Sequence, residues 1–161
     1  MAEVIKVGMA DMGATYAPGI LTTLGLGSCI GICLYDTTSR ISGLVHIMLP
    51  NSTQIKNNSN LAKFADTGIA KLLEVMIKMG ARRNKIVSKI AGGAQMFSFS
   101  ESSDVMRIGA RNIVATKETL ERLGIPLIAE DTGGNHGRTI ELYSESGILL
   151  IKTIGYGTKQ I

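Results

Sequence analysis

A cysteine follows two closely spaced glycines in the segment Thr23–Cys29, whose sequence is TLGLGSC. Glycines at Gly25 and Gly27 permit a tight turn, which can expose a thiol and direct backbone N–H groups toward one point. A thiolate is a strong nucleophile, and converging N–H groups stabilise an oxyanion. The structural alternative is that Cys29 is a small buried hydrophobic residue, the usual state of a lone cysteine. Residue types alone leave both interpretations open.

A cysteine nucleophile needs a base, because an ordinary thiol has a pKa of about 8.5 and is mostly protonated at neutral pH. His46 lies within the apolar run Ile41–Leu49, where a buried imidazole must form hydrogen bonds. His136 lies in a glycine-rich loop, where a solvated histidine needs no explanation. His46 is therefore the better candidate for a base, with a hydrogen-bonded core histidine as the structural alternative.

Metal binding is the rival use of Cys29, Cys33 and the two histidines. In an extended strand, four residues span roughly 13 Å, which exceeds the ~4 Å between two sulfurs on a tetrahedral zinc ion. The same distance excludes a Cys29–Cys33 disulfide, which tolerates at most about 7 Å between Cα atoms. We therefore expect no metal and interpret Cys33 as structural. Phosphate-loop, zinc-protease and serine-elbow motifs are absent from the sequence, so no cofactor is expected.

Hydrophobic periodicity predicts the elements that must hold these residues. Strands are predicted over Val4–Met9, Ile20–Tyr35 (one or two strands, interrupted by glycines), Ile41–Leu49, Lys85–Ala91, Leu127–Glu130, Arg138–Tyr143 and Ile148–Ile154. Helices are predicted over Leu61–Met79 and Ile108–Leu123, each ended by a glycine. The stripe of the second helix is predicted to run through Ile113, Val114, Lys117, Leu120 and Leu123. Many strands are consecutive, which favours an α/β fold with mixed sheets in a layered sandwich over a doubly wound parallel sheet.

Composition narrows the class of protein. The 161 residues are expected to form one domain, residues 1–161, with 45% hydrophobic residues for its core. A net charge of +4 comes from scattered basic residues, and only 4% are aromatic, so no nucleic acid partner is expected. Met1–Gly13 lacks the basic start and apolar run of a signal peptide. We expect a cytoplasmic protein that meets a membrane only through a partner.

Six blocks of sequence follow one another in a fixed order: 23–29, 46–50 (HIMLP), 64–67 (FADT), 90–97 (IAGGAQMF), 108–112 (IGARN) and 129–134 (AEDTGG). In residues and in order, they closely resemble the chemoreceptor glutamine deamidase family, CheD. The resemblance covers nearly the whole chain. It implies an α/β sandwich similar to deamidating bacterial toxins.

The resemblance also implies an activity and a site. Members of the family convert selected glutamines on the cytoplasmic helices of methyl-accepting chemoreceptors to glutamate, in bacterial or archaeal chemotaxis, and release ammonia. The catalytic cysteine, histidine and threonine correspond to Cys29, His46 and Thr23. The candidates for the oxyanion site and its turn are Gly27, Ser28 and Cys29, through their backbone N–H groups. Some hydrolysis of glutamate methyl esters is expected as well, since an ester has the same acyl geometry.

Two further expectations follow from the resemblance. The alternative function is a regulatory binding module that stimulates CheC, a phosphatase of the response regulator, so a CheC-type phosphatase is an expected partner.

The pairs Gly92-Gly93 and Gly133-Gly134 either shape a substrate groove or make tight turns, and we favour turns for at least one pair.

Overall fold

The computed structural model describes residues 2–96 and 107–161, and within them the chain forms two five-stranded sheets. Met1 and Phe97, which belong to segments considered above, lie outside the described residues. The first sheet has the strand order β1-β3-β8-β9-β10 and the second has the order β2-β5-β4-β6-β7. The strands are β1 Val4–Lys6, β2 Met12–Thr15, β3 Ile20–Leu26, β4 Ile30–Asp36, β5 Ser42–Ile47, β6 Ile86–Gly92, β7 Leu127–Thr132, β8 Arg138–Tyr143, β9 Leu149–Thr153 and β10 Gly157–Gln160.

Both sheets are mixed. In the first sheet β1 pairs parallel with β3, and in the second β6 pairs parallel with β7, while the remaining pairs are antiparallel. The predicted α/β sandwich with mixed sheets is therefore confirmed. The sequence patterns missed β2 and β10, which are four residues long and lie at sheet edges. Short edge strands bury few side chains and so leave little hydrophobic pattern.

Two hydrophobic cores define three layers. One core lies between the two sheets, and the other lies between the second sheet and the helices α1 (Ala65–Lys78) and α2 (Ile108–Arg122). Side chains of β4 alternate between them: Ile32 and Leu34 pack toward the helices, whereas Cys33 packs toward the first sheet. This alternation is the period of two expected for a strand buried on both faces.

The helices begin and end close to their predicted bounds. Gly80 and Gly124 follow α1 and α2 with φ of +113° and +73°, the left-handed conformation that ends a helix. Leu61, predicted as the start of α1, instead lies in a short 3-10 helix, Leu61–Lys63. Among the described residues, no helix is long and apolar enough to cross a membrane.

The buried face of α2 differs from the apolar stripe predicted for it. Val114 and Lys117 are exposed, and Lys117 forms an ion pair with Glu130 at 3.0 Å. The buried face instead carries small and polar residues, namely Gly109, Asn112, Ala115, Thr116, Thr119 and Leu120. Gly109 and Asn112, near the start of this face, contact main-chain atoms, whereas Ala115 and Leu120 belong to the hydrophobic core.

A buried carboxylate at the end of β4 links the connection from β4 to β5 with the connection from α1 to β6. The Oδ1 atom of Asp36 accepts hydrogen bonds from Thr38 N (2.8 Å), Thr38 Oγ1 (2.8 Å) and Ser39 N (3.1 Å). Its Oδ2 atom accepts from Arg82 N at 2.7 Å, across the connection from α1 to β6. Burial alone would raise the pKa of Asp36, but these donors hold the pKa well below its usual range.

The Asp36→Asn variant should lose about 1–3 kcal/mol of unfolding free energy at pH 7, because an amide cannot accept hydrogen bonds at both positions. Because the pKa of Asp36 is lower in the folded state, its contribution is present above about pH 4 and is lost as the pH falls below that value. Urea unfolding at pH 7 and near pH 3 measures both effects. The exposed carboxylate variant Glu121→Gln is the control, and a stability difference for Asp36→Asn that does not shrink in acid would contradict the prediction.

Candidate active site

The two sheets meet at a hydrogen bond between Thr23 and His46. Thr23 lies on β3 of the first sheet and His46 on β5 of the second, and both side chains are fully buried. The Thr23 Oγ1 atom lies 2.7 Å from His46 Nδ1 and 2.7 Å from the carbonyl oxygen of Val7. The structure therefore brings together two residues that are 23 positions apart in the sequence and belong to different layers.

These distances determine which ring nitrogen of His46 carries the proton. A hydroxyl has one proton to donate, and the Val7 carbonyl can only accept. Thr23 therefore donates to Val7 and accepts from His46, which places the imidazole proton on Nδ1. The Nε2 atom then carries the lone pair, and no described residue forms a hydrogen bond with it. His46 is thus held as a neutral imidazole with its basic nitrogen unused.

Local structure explains why the ring points into the space between the sheets. His46 pairs with Gly31 across β4 and β5, so the two residues share a face. A side chain at Gly31 would meet Ile140 at 2.6 Å and Leu26 at 3.2 Å, both from the first sheet. The backbone of His46 is fixed on its other edge, where its N–H donates to Asp11 O and its carbonyl accepts from Ala10 N.

A β-bulge aims the segment that leads to Cys29. Thr23 pairs with Ile140 of β8 and Leu26 pairs with Arg138, so β3 carries one extra residue between them. Gly25, inside the bulge, has a φ of +71°, which glycine adopts without strain. The predicted interruption at Gly25 is therefore a bulge rather than the end of a strand. Bulges of this kind redirect the chain near functional sites.

Residues 27–29 form the turn between β3 and β4, called here the nucleophile turn. Each of its carbonyls accepts a hydrogen bond from outside the turn: Gly27 from Ala94 N at 2.8 Å, Ser28 from the side chain of Asn112 at 2.9 Å, and Cys29 from Gly93 N at 2.9 Å. With all three carbonyls engaged, the turn has one defined orientation.

The N–H groups of the nucleophile turn differ in whether they have a backbone acceptor. The Gly27 N–H donates to Gly25 O at 3.1 Å, so this candidate contributes to the turn. Among residues 2–96 and 107–161, neither Ser28 nor Cys29 donates its N–H to a backbone carbonyl. The Cys29 N–H lies close enough to its own thiol to favour the thiolate. These two N–H groups therefore have no backbone acceptor among the described residues, which is what a pair of oxyanion donors requires.

By strand register Cys29 lies diagonally across from His46, and it forms no hydrogen bond with Nε2. Gly31 pairs with His46, so Cys29, two residues earlier, lies diagonally across from the imidazole at the end of the ladder. Diagonal neighbours have Cα atoms about 7–8 Å apart, within reach of a side chain of moderate length. No hydrogen bond joins the sulfur to Nε2 in this state. Unliganded sites commonly have such loose geometry and tighten around a substrate.

The neutral form is favoured for both candidate side chains, Cys29 and His46. Burial raises the pKa of the Cys29 thiol, and the Cys29 N–H offsets only part of that shift. Burial lowers the pKa of His46. Each effect disfavours the charged form, so a thiol faces a neutral imidazole at neutral pH rather than a thiolate facing an imidazolium.

The other candidates are placed apart from this site. Cys33 lies in the core between the sheets, where burial raises its pKa to about 12. A thiol with that pKa is protonated and unreactive at neutral pH. His136 lies in the connection from β7 to β8 and packs against the ring of Tyr156, with 3.9 Å between centroids.

The glycine pairs have two different roles. Gly92 has a φ of +115°, and any side chain there would collide with the carbonyl of Cys29, so this glycine admits the nucleophile turn. Gly133 and Gly134 have φ of +82° and +71° in the turn between β7 and β8, which confirms that at least one pair makes a turn. Arg138 joins the two pairs, because it donates to Gly133 O at 2.9 Å and to Gly92 O at 3.4 Å.

Sequence reasoning did not single out Asn112 and Arg138. Asn112 is fully buried and donates to Ser28 O and Met48 O. Ser28 precedes Cys29, and Met48 lies two residues after His46. Its signal in the sequence is a polar residue on the buried face of α2, three positions after Gly109. Arg138 is nearly buried and pairs with Asp131 at 3.1 Å. A charge at the start of a buried strand was its only signal.

Comparison with known proteins identifies relatives along the whole chain. Residues 48–153 match the family model CheD, described as CheD chemotactic sensory transduction. A protein of Caldanaerobacter subterraneus subsp. tengcongensis named "Probable chemoreceptor glutamine deamidase CheD" is 62% identical over 160 residues, which cover 99% of each chain. A protein of Lachnoclostridium phytofermentans with the same name is 58% identical over 161 residues, covering 100% of both chains.

One solved structure has a partial likeness to this fold. The crystal structure of Bacillus licheniformis hypothetical protein YfiH aligns with a TM-score of 0.49 and 16% sequence identity, over 76% of this chain and 50% of that chain. The family match and the relatives, which are more than half identical from end to end, establish the family: this chain belongs to the CheD family of chemotactic sensory transduction proteins.

Proposed function

We propose that this protein is a cysteine-dependent deamidase that converts selected glutamines of methyl-accepting chemoreceptors to glutamate. The observation that carries the proposal is the oriented imidazole: Thr23 holds the His46 proton on Nδ1, and no described residue forms a hydrogen bond with Nε2. The names of the relatives, chemoreceptor glutamine deamidases, supply the substrate class. Residues 1–161 act as one deamidase domain, working in the cytoplasm on the cytoplasmic helices of the receptors.

The first step forms a tetrahedral intermediate on Cys29. The Cys29 thiol transfers its proton to His46 Nε2 while the sulfur bonds to the side-chain carbonyl carbon of glutamine. The carbonyl oxygen becomes an oxyanion, which accepts hydrogen bonds from the N–H groups of Ser28 and Cys29. Proton transfer at the moment of attack suits a neutral resting pair, because the imidazolium and the oxyanion then form together.

The second step releases ammonia and regenerates the enzyme. The imidazolium donates its Nε2 proton to the departing nitrogen, which leaves as ammonia and yields a thioester on Cys29. Water then gives a proton to Nε2 and its oxygen bonds to the thioester carbon. The carbon–sulfur bond breaks, the sulfur recovers the proton from His46, and the product is glutamate. A glutamate methyl ester reacts by the same steps, with methanol as the leaving group.

Thr23 positions the base. In the imidazolium state both ring nitrogens are donors, and the Thr23 hydroxyl still accepts from Nδ1 because its own proton is directed to Val7. The hydroxyl thus fixes the ring and the tautomer, the role that an aspartate has in a serine protease triad. An uncharged partner stabilises the imidazolium less, which agrees with the lowered pKa of His46.

Cys29→Ala should abolish ammonia release, because it removes the atom that forms the thioester. Cys33→Ala is the matched control, since it removes a buried thiol from the core between the sheets and should affect stability alone. Mass spectrometry of a receptor cytoplasmic fragment from the same organism should detect a gain of about one mass unit at defined glutamines. Equal loss of activity in both variants would contradict the role of Cys29.

The same assay addresses the alternative function. If wild-type protein and Cys29→Ala both leave the receptor unchanged, the deamidase proposal fails. The regulatory function is then tested by the dephosphorylation rate of the phosphorylated response regulator with a CheC-type phosphatase, in the presence and absence of this protein. A deamidase that also binds the phosphatase would be active in both assays.

Thr23→Val should lower kcat about 100-fold, because the ring loses both its orientation and its preferred tautomer. Thr23→Ser, which keeps the hydroxyl, should restore most of the rate. Thr22→Val is the control: Thr22 also donates a buried hydrogen bond, to Ile140 O at 2.8 Å, so it loses a bond of the same type away from the imidazole. An equal fall in kcat for the Thr22 and Thr23 variants would remove Thr23 from the mechanism.

The activity should be nearly constant across neutral pH and fall in acid. The lowered pKa of His46 keeps the imidazole neutral until the pH drops below about 6.5, and the raised pKa of Cys29 keeps the thiol protonated until the pH exceeds about 8.5. The neutral pair is the active form between these limits. Measurements are kcat/KM and the rate of Cys29 alkylation by iodoacetamide from pH 4.5 to 9.5. Fast alkylation that persists in acid would indicate a preformed ion pair and contradict this assignment.

A further inference from the structure

One side chain bridges the nucleophile turn and the strand that carries the base. The Nδ2 atom of Asn112 lies 2.9 Å from Ser28 O and 3.0 Å from Met48 O. An amide nitrogen has two protons, so each carbonyl receives one of them. Ser28 immediately precedes Cys29, and Met48 lies two residues after His46 and just beyond β5. The amide therefore contacts the residue before the proposed nucleophile and a residue shortly after the proposed base.

The position of Asn112 depends on a close approach by α2. Gly109, one turn earlier, has no room for a side chain, because a Cβ atom there would collide with the carbonyl oxygens of Gly93 and Ala94. Gly93 and Ala94 are also the residues whose N–H groups hold the carbonyls of Cys29 and Gly27. The first turns of α2 thus pack directly on the backbone that fixes the nucleophile turn, and Asn112 supplies the remaining donor.

We propose that Asn112 is a positioning residue, which joins the nucleophile turn to the end of the base-carrying strand and so sets the geometry between Cys29 and His46. This inference rests on the proposed function for its activity readout. Backbone hydrogen bonds hold Gly27 and Cys29, but the Ser28 carbonyl depends on a side chain. Ser28 and Cys29 also supply the proposed oxyanion donors, so rotation of the peptide between them would move one donor away from the reacting carbonyl.

Burial on this face of α2 does not by itself require a side-chain hydrogen bond. Thr116, one turn after Asn112, is equally buried, and its hydroxyl has no partner in the part of the chain that the structure describes. The helix therefore packs without a hydrogen bond at that position. Thr116→Val removes a buried polar group from the same helix face and leaves the nucleophile turn untouched, which makes it a matched control.

Asn112→Leu, which has a similar shape and no donor, should lower kcat about 100-fold with little change in KM, because a displaced nucleophile impairs the reaction rather than substrate binding. Thr116→Val should keep the wild-type kcat. Circular dichroism and urea unfolding of all three proteins establish that the variants are folded. If Asn112→Leu does not fold, Asn112→Ala replaces it, since the smaller side chain leaves space in which a water can serve the two carbonyls.

A second measurement separates this inference from the proposed function. The rate of Cys29 alkylation by iodoacetamide does not require deamidase activity. When the turn loosens, the Cys29 N–H no longer supports the thiolate, so alkylation of the Asn112 variant at neutral pH should fall about tenfold and its pH profile should move to higher pH. Thr116→Val should alkylate as wild type does. The comparison uses a Cys33→Ala background, so that Cys29 is the reacting thiol.

The outcomes are distinct. An inactive wild-type protein whose alkylation nevertheless depends on Asn112 would overturn the deamidase proposal and support the positioning role. A folded Asn112 variant with unchanged kcat and an unchanged alkylation profile would overturn the positioning role. Loss of folding in both Asn112 variants, with Thr116→Val folded, would overturn it as well and assign Asn112 to stability.

Discussion

The structure of the site depends on one hydroxyl proton. Thr23 Oγ1 lies between the Val7 carbonyl and His46 Nδ1, at 2.7 Å from each, and it can donate to only one of them. Since the carbonyl cannot donate, the direction of both bonds is determined, and with it the tautomer of His46. Thr23 belongs to the first sheet and His46 to the second. The hydrogen bond that orients the base therefore forms only when the two sheets pack against each other. A fault in the packing of the two sheets would therefore also disturb the base.

A second constraint acts on the nucleophile. The turn at residues 27–29 joins the two sheets, and a connection of this kind would ordinarily be mobile because its carbonyls face solvent. Here Gly93, Ala94 and Asn112 engage all three carbonyls, and among the described residues the N–H groups of Ser28 and Cys29 have no backbone acceptor. Gly92 and Gly109 make this possible by having no side chains where the backbones meet. Within the described residues, backbone groups and the uncharged side chains of Thr23 and Asn112 position the neutral imidazole and the neutral thiol.

Elements that bury an apolar face were predicted from the sequence, and elements that bury few side chains were not. Strands and helices with strong periodicity, such as β6 and α1, were located to within a few residues, because each must present an apolar face to a core. The short edge strands β2 and β10 were missed for the opposite reason. The face of α2 was predicted only in part. Leu120 is buried as predicted and Val114 is exposed, while Gly109 and Asn112, which contact backbone, were not part of the predicted stripe.

The sequence by itself determined the candidate residues and the class of fold. Glycines before Cys29 indicated a turn with free N–H groups, the apolar run around His46 required a partner for its imidazole, and the order of the blocks indicated the family. The resemblance named Thr23, but only the tertiary structure decided that its hydroxyl meets His46 Nδ1, that Nε2 is the basic nitrogen, and that Asn112 holds the turn. These contacts join residues from different sheets or from a sheet and a helix. Hydrophobic pattern specifies which face of an element is buried, whereas a hydrogen bond between layers depends on how those faces are aligned when they pack.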